Sequence, residues 1–162
     1  MNDRQHYRSQ MLDLLRAEFD CAGQLHATLT AEAEALASRD VDRLERLVGD
    51  KQALMQTFEA LELRKQQILE QTGFSGANRD IEACIDWCDD RGQLKRGWHL
   101  LLERIRRCQQ QNRINGATLD SSRRHAQQAL AILRGQPIAV PLYNPTGSTA
   151  LNEDNGRSLA KA

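Results

Sequence analysis

Apolar residues recur every three or four positions along residues 1–134, a spacing that is typical of amphipathic α-helices. The first such stripe predicts a helix from Asp3 to Ala37. Its members are Leu12, Leu15, Phe19, Ala22, His26, Leu29, Ala33 and Leu36. Because Met11, Leu14 and Leu25 widen the stripe, it is typical of a helical bundle rather than a two-stranded coiled coil.

A second helix is predicted from Val41 to Gln71, with Asp40 as its N-cap and Gly73 as a left-handed C-cap. The short break at Ser38–Asp40 must turn this helix back antiparallel to the first. Its apolar stripe reads Leu44, Leu47, Lys51, Leu54, Phe58, Leu61, Lys65 and Ile68. We expect the two lysines to pack their methylene groups on the stripe and to carry their ammonium groups into water.

A short acidic helix is predicted from Asn78 to Asp90, and a long one from Gln93 to Arg134. The long helix keeps a heptad spacing over its length of about 60 Å, which predicts a left-handed supercoil. Its stripe consists of Leu94, Trp98, Leu101, Ile105, Cys108, Asn112, Asn115, Leu119, Ser122, Ala126, Ala129 and Leu133. We therefore predict an all-α fold, an elongated antiparallel bundle of three long helices with one short extra helix.

The composition changes after residue 134. All three prolines, Pro137, Pro141 and Pro145, lie in this last segment together with several glycines. Proline removes a backbone donor and breaks helices. We predict a bundle domain of residues 1–134 and a C-terminal tail of residues 135–162 that is flexible or becomes ordered on a partner.

The charge balance and hydropathy limit the class of protein. There are 22 basic and 22 acidic residues, which argues against a protein whose main task is to bind nucleic acid or an anionic membrane. No run of 18 apolar residues is present, so membrane insertion is not expected. The first residues lack the apolar core of a secretory signal, and we expect a cytoplasmic protein.

No catalytic motif is recognisable, and we expect neither an enzyme, nor a cofactor, nor a metal site. Cys84, Cys88 and His99 are conceivable zinc ligands. The two cysteines, however, continue the apolar face of the short helix, where a free cysteine behaves as a small apolar residue.

Three residues interrupt the stripe of the long helix. Asn112 and Asn115 place amides on an apolar face, and Gly116 disfavours a helix interior. One interpretation is a polar layer that sets the register of the bundle, with the glycine admitting a neighbouring helix closely. The other is a weakened position where the bundle loosens or admits a helix of a partner. The two interpretations are compatible.

These residues carry a resemblance to a known family. The segment Gln111–Gly116, followed by Leu119, Leu130 and Leu133, resembles the Asn-x-x-Asn-Gly signature of the FlgN family of bacterial flagellar type III export chaperones. The segment Leu142–Gly147 resembles the short Tyr-x-x-x-Gly segment of that family. The spacing of leucines in the second helix is similar too, and the resemblance covers roughly residues 10–147.

The resemblance implies a chaperone that binds the hook–filament junction proteins, hook-associated proteins one and three, through their amphipathic terminal helices. It would prevent their premature assembly and deliver them to the flagellar export gate and export ATPase machinery. It also implies client-binding roles for Asn112, Asn115, Gly116, Leu119, Leu130 and Leu133. By the same resemblance, Tyr143 would contact the export gate.

Two alternatives remain open at this point. The long apolar stripes are compatible with a structural coiled-coil protein that associates with itself. Seven arginines between Arg96 and Arg124 are compatible with an RNA-binding regulator that uses this face of the long helix.

Overall fold

The computed structural model describes residues 2–74 and 78–135. These residues form four α-helices and no strand, which confirms the predicted all-α fold. The helices are α1 (Asn2–Ser38), α2 (Val41–Thr72), α3 (Asn78–Cys88) and α4 (Gln93–Leu133). The chain divides into one unit of residues 1–120 and a second of residues 121–162. Most of the predicted tail, including Tyr143, lies outside the described residues.

Both ends of α2 are determined by local chemistry that the sequence predicts. The carboxylate of Asp40 accepts a hydrogen bond from the backbone N–H of Arg43 at 3.0 Å, as an N-cap does. At the other end Gly73 has a φ of 80°, and the N–H of Phe74 reaches back to the carbonyl of Leu69 at 2.8 Å. This left-handed cap satisfies carbonyls that the last turn would leave open.

The short helix α3 ends at Cys88, two residues before its predicted end at Asp90. Asp89 leaves the helix because its side chain caps α4, accepting hydrogen bonds from the N–H groups of Gln93 and Lys95 at 3.0 Å each. Burial raises the pKa of Asp89, but these backbone donors outweigh it and lower the pKa below its ordinary value.

Helices α1 and α2 run antiparallel, as their ion pairs indicate. Glu18 pairs with Lys65 at 3.1 Å, and Glu32 pairs with Lys51 at 2.7 Å. The residue numbers thus rise on α1 as they fall on α2, as the short break between the helices predicts.

Helix α4 runs parallel to α1 and therefore antiparallel to α2. Arg104 donates a hydrogen bond to the carbonyl of Phe19 at 3.3 Å, and further along both helices Asn115 donates to the carbonyl of Leu29 at 2.8 Å. The three long helices thus form the predicted antiparallel bundle within residues 1–120.

The apolar core is concentrated where α3 packs against the other helices. Its buried members are Met11, Leu14, Leu15, Ala22, Ile68, Leu69, Ile81, Cys84, Ile85, Cys88, Leu94 and Leu101. On α2 the buried residues are Ile68 and Leu69, both near its C-terminus. The N-terminal part of α2 is therefore only partly covered, and this leaves room for the groove described below.

The two lysines of the α2 stripe do not point into water, so that prediction was wrong. The side chain of Lys65 is only 12% exposed, and it bonds to the nearly buried carboxylate of Glu18. Lys51 bonds in the same way to Glu32. The reason is that Glu18 and Glu32 of α1 are buried. A buried carboxylate without a partner is strongly destabilising, so each acid is paired with a lysine ammonium group.

Candidate protein-binding groove

A groove of about 490 Å³ lies between α2 and α4, within the unit of residues 1–120. Glu32 and Leu36 of α1 line it together with residues from the other two helices. On α2 these are Val41, Leu44, Glu45, Val48 and Lys51, and on α4 they are Asn112, Asn115, Gly116 and Leu119. We call it the α2–α4 groove.

The two sides of the α2–α4 groove have the same spacing. On α4 the lining residues stand at positions i, i+3, i+4 and i+7, from Asn112 to Leu119. On α2 the residues from Val41 to Val48 repeat this spacing. Four residues so arranged on a helix surface form the hole that receives one side chain of a packed helix. The groove thus contains two such holes. We call them the α2 hole (Val41, Leu44, Glu45 and Val48) and the α4 hole (Asn112, Asn115, Gly116 and Leu119).

A polar layer connects three helices beside the α2–α4 groove. The amide nitrogen of Asn115 donates to the carbonyl of Leu29 at 2.8 Å and to a carboxylate oxygen of Glu32 at 2.7 Å. The other oxygen of Glu32 accepts from Lys51 at 2.7 Å, and Gln111 donates to the amide oxygen of Asn115 at 2.9 Å. Asn115 is therefore a structural residue, 4% exposed and fully hydrogen-bonded.

Asn112 and Gly116 have a different environment from Asn115. Both are exposed at the surface of the groove. A Cβ atom added at Gly116 would find nothing within 4 Å, so this glycine does not admit a neighbouring helix of the bundle closely. That part of the register interpretation was wrong, and the polar layer is formed by Asn115 without Gly116.

The stripe of α4 is buried at every seventh residue, Leu94, Leu101, Cys108 and Asn115. Asn112 and Leu119, which the sequence assigns to the same core-facing stripe, are exposed instead, Leu119 to 55%. The N-terminal part of α2 does not cover Asn112 and Leu119, and both residues line the groove. The heptad stripe predicted from sequence for this helix therefore contains buried residues and, at Asn112 and Leu119, exposed ones.

The other predicted client-binding residues lie in the unit of residues 121–162. Leu130 and Leu133 are exposed on the last turns of α4, Leu133 to 82%. The helix ends at Leu133, and Gly135 two residues later has a φ of 66°. These two leucines form an apolar surface of their own, and neither lines the α2–α4 groove.

Most of the α2 side of the groove was not predicted from the sequence. Val41 and Val48 are exposed apolar residues that line it, and Met55 is exposed one heptad further on. Their seven-residue spacing, beside the stripe assigned to the core, was the available signal. These residues form a second apolar stripe on α2, and this stripe is exposed.

Only some of the charged residues that line the α2–α4 groove are paired with an opposite charge. Lys51 and Glu32 neutralise each other in an ion pair. Glu45 is exposed, and among the residues that the structure describes it has no ion-pair partner. The lining residues of the groove therefore carry a net negative charge, and its unpaired carboxylate is that of Glu45.

Two of the arginines of α4 make contacts within the protein. Arg104 stacks on the ring of Phe19 at 3.6 Å from its centroid, and Arg107 pairs with Glu103 at 2.6 Å. Arg106 and Arg113 are exposed. Part of the predicted basic face thus serves the packing and charge balance of the bundle.

The cysteines that were considered as zinc ligands are buried in the core, while His99 is exposed. In the described ranges no three His, Cys, Asp or Glu side chains are grouped so as to hold a metal ion. Over the same ranges, no helix has the length and apolar character needed to cross a membrane.

Comparison with known proteins gives one family. The family model described as FlgN protein matches residues 1–151, which includes all four helices. No curated protein and no solved structure matches the chain significantly. The match covers most of the chain and includes the Asn-x-x-Asn-Gly segment that lines the α2–α4 groove. The chain therefore belongs to the FlgN family of flagellar export chaperones.

Proposed function

We propose that this chain binds the hook–filament junction proteins, hook-associated proteins one and three, in the cytoplasm. Binding prevents their premature assembly, and the complex is delivered to the flagellar export gate and its ATPase machinery. The observation that carries this proposal is the α2–α4 groove, with apolar residues on both sides and the spacing of two helix-packing holes.

The physical problem of such clients matches a groove of this kind. Terminal amphipathic helices that pair only after export expose an apolar stripe before it. A helix laid in an apolar groove covers that stripe. A client face of six to eight leucine-sized side chains gains about 10 kcal/mol from burial, and ordering of both partners consumes much of that gain. The remainder supports binding that is tight and yet reversible.

Within this proposal the predicted residues have separate roles. Asn112, Gly116 and Leu119 contact the client in the groove, and Asn115 holds the groove in shape through its buried hydrogen bonds. Leu130 and Leu133 provide a further apolar contact near the end of α4. Tyr143 serves the contact with the export gate.

The experiment is co-expression of the full chain with a C-terminal fragment of a hook–filament junction protein, followed by size-exclusion chromatography. We expect a stable complex. If the chain binds no such fragment, the proposal is overturned.

The two alternative functions predict different results in the same preparation. A self-associating coiled-coil protein forms oligomers that grow with concentration and need no client. An RNA-binding regulator retains RNA at low salt and loses it steeply as salt rises. Either result in the absence of client binding would replace the proposed function.

A further inference from the structure

The α2–α4 groove is chemically asymmetric, and this limits what it can receive. Its α2 side presents Val41, Leu44 and Val48 together with the exposed carboxylate of Glu45. Its α4 side presents the neutral amide of Asn112 and the empty space above Gly116. A helix that binds in the groove must therefore match two different holes. The α2 hole is apolar and has the negative charge of Glu45 at its rim, and the α4 hole is open and uncharged.

The α4 hole is open because its central residue, Gly116, has no side chain. A Cβ atom at Gly116 would meet nothing within 4 Å, so the space over the backbone is free. A leucine, methionine or phenylalanine inserted there would bury apolar surface against Leu119, whereas a small side chain would leave a void. The hole therefore selects a large apolar side chain.

Glu45, at the rim of the α2 hole, favours a bound helix with a positive charge beside it. The ion pair of Lys51 with Glu32 is neutral, which leaves Glu45 as the uncompensated charge among the described residues that line the groove. In packed helices, residues flanking the apolar positions form interhelical ion pairs and determine the choice of partner. A lysine or arginine at such a flanking position would pair with Glu45, and an acid there would be repelled.

We infer that the groove selects an amphipathic helix that places a large apolar side chain over Gly116 and a basic residue beside Glu45. This inference rests on the proposed function, since it describes the chemistry by which a client helix would be recognised.

The test uses the full chain and two labelled, designed amphipathic helices of about three heptads, with leucine at the apolar positions. One carries lysine at the flanking positions and the other glutamate. In fluorescence anisotropy titrations we expect the lysine peptide to bind about fivefold more tightly at low salt, with the difference shrinking as salt rises. Equal affinities, or no binding of either peptide, would overturn the inference.

Reversing the charge of Glu45 tests whether this residue causes the preference for the lysine peptide. Glu45→Lys is expected to invert the order of the two peptides, because the rim then repels lysine and attracts glutamate. Asp50→Lys is the matched control, since Asp50 is exposed on the same helix and does not line the groove. If the two substitutions have the same effect, the preference arises from net charge and the inference is wrong.

Filling the α4 hole tests whether a large apolar side chain of the bound helix lies over Gly116. Gly116→Trp is expected to weaken both peptides at least tenfold, and Gly116→Leu to a smaller extent. Gly49→Trp is the control, because Gly49 also lies in a helix with open space around it but outside the groove. Urea unfolding of each variant verifies that it is folded. Unchanged binding by folded Gly116→Trp overturns the inference.

The outcomes separate this inference from the proposed function. If a junction-protein fragment co-elutes with the chain but is insensitive to Glu45→Lys and Gly116→Trp, the inference fails and the function stands. If no fragment co-elutes while the lysine peptide binds as described, the proposed client fails and the groove chemistry stands. A dimer of the chain alone that Gly116→Trp dissociates would indicate a second copy in the groove, and would overturn the inference.

Discussion

The amide of Asn115 on α4 donates to the carboxylate of Glu32 on α1 at 2.7 Å, and this contact joins the parallel helices beside the groove. Asn112 stands one helical turn earlier on α4 and is exposed. Two asparagines three residues apart thus have opposite environments. One supports the groove, and the other is part of its surface.

This difference predicts different effects on stability. Asn115→Ala should lower the free energy of unfolding by about 1–3 kcal/mol, because it removes a buried donor from both Leu29 and Glu32. Asn112→Ala should change it by less than about 0.5 kcal/mol, as exposed substitutions do. Urea denaturation at neutral pH measures both. Equal losses would contradict the assignment of Asn115 as the structural residue.

Glu18 and Lys65 form a buried pair whose energetics depend on pH. Burial raises the pKa of Glu18 above its ordinary 4.5, although Lys65 opposes this. Burial lowers the pKa of Lys65, but Glu62 and Glu18 outweigh it and raise the pKa above its ordinary 10.5. The ionised Glu18 is therefore disfavoured in the folded state relative to the unfolded state, and Lys65 holds its charge.

Removing Lys65 should consequently lower the free energy of unfolding most when Glu18 is ionised. Lys65→Met is expected to cost about 3–5 kcal/mol at neutral pH, because it leaves a buried carboxylate unpaired. The cost should shrink as the pH falls through the raised pKa of Glu18 toward 4.5, where the protonated acid needs no counter-charge. Urea denaturation across this pH range measures the difference from the wild type.

Lys51→Met is the control for that experiment. Lys51 is more exposed than Lys65, and its partner Glu32 keeps the hydrogen bond from Asn115. A smaller loss at neutral pH is therefore expected. A loss for Lys65→Met that is independent of pH would show that Glu18 is not the group responsible.

Client binding should depend on the open edge of α4. Leu119→Asp places a charge in the apolar groove, so we expect at least a tenfold loss of affinity for a junction-protein fragment, with little effect on stability. Ile114→Asp is the matched control, because Ile114 is exposed to 49% on the same helix and does not line the groove. Isothermal titration calorimetry measures both. Similar losses for the two variants would argue against the groove as the client site.

Glycine substitutions test where backbone freedom is needed. Gly116→Ala and Gly49→Ala should each raise stability by roughly 0.5–1 kcal/mol, because both lie in helices with open space for a methyl group. Gly73→Ala should lower it by about 1 kcal/mol, since Gly73 has a left-handed backbone. Thermal unfolding measures the three. A destabilised Gly116→Ala would mean that a neighbouring helix does approach this position.

Tyr143 lies outside the described residues, and its role stays a prediction. Tyr143→Ala should leave binding of the junction proteins intact and abolish motility, because export-gate contact and client binding would use different parts of the chain. Motility in soft agar and co-elution with the client measure the two steps. Normal motility would remove the proposed role.

The four helices and both ends of α2 were predictable because local chemistry determines them. Asp40 and Gly73 terminate α2 through bonds within a few residues along the chain. The spacing of apolar residues likewise depends only on the geometry of a helix. The family signature was also readable, and it identified four of the residues that line the groove.

The sequence by itself determined four helices, the caps of α2 and the apolar stripe of each long helix. Only the tertiary structure decided which of those positions stay open, that Lys51 and Lys65 turn toward buried acids, and that Asn115 is buried while Asn112 is not. The physical reason is that periodicity determines which side chains share a face, whereas burial depends on where a second helix lies against that face. Near residues 41–48 and 112–119, α2 and α4 leave a groove between them, and residues such as Leu44 and Leu119, which the sequence assigns to the core, line that groove.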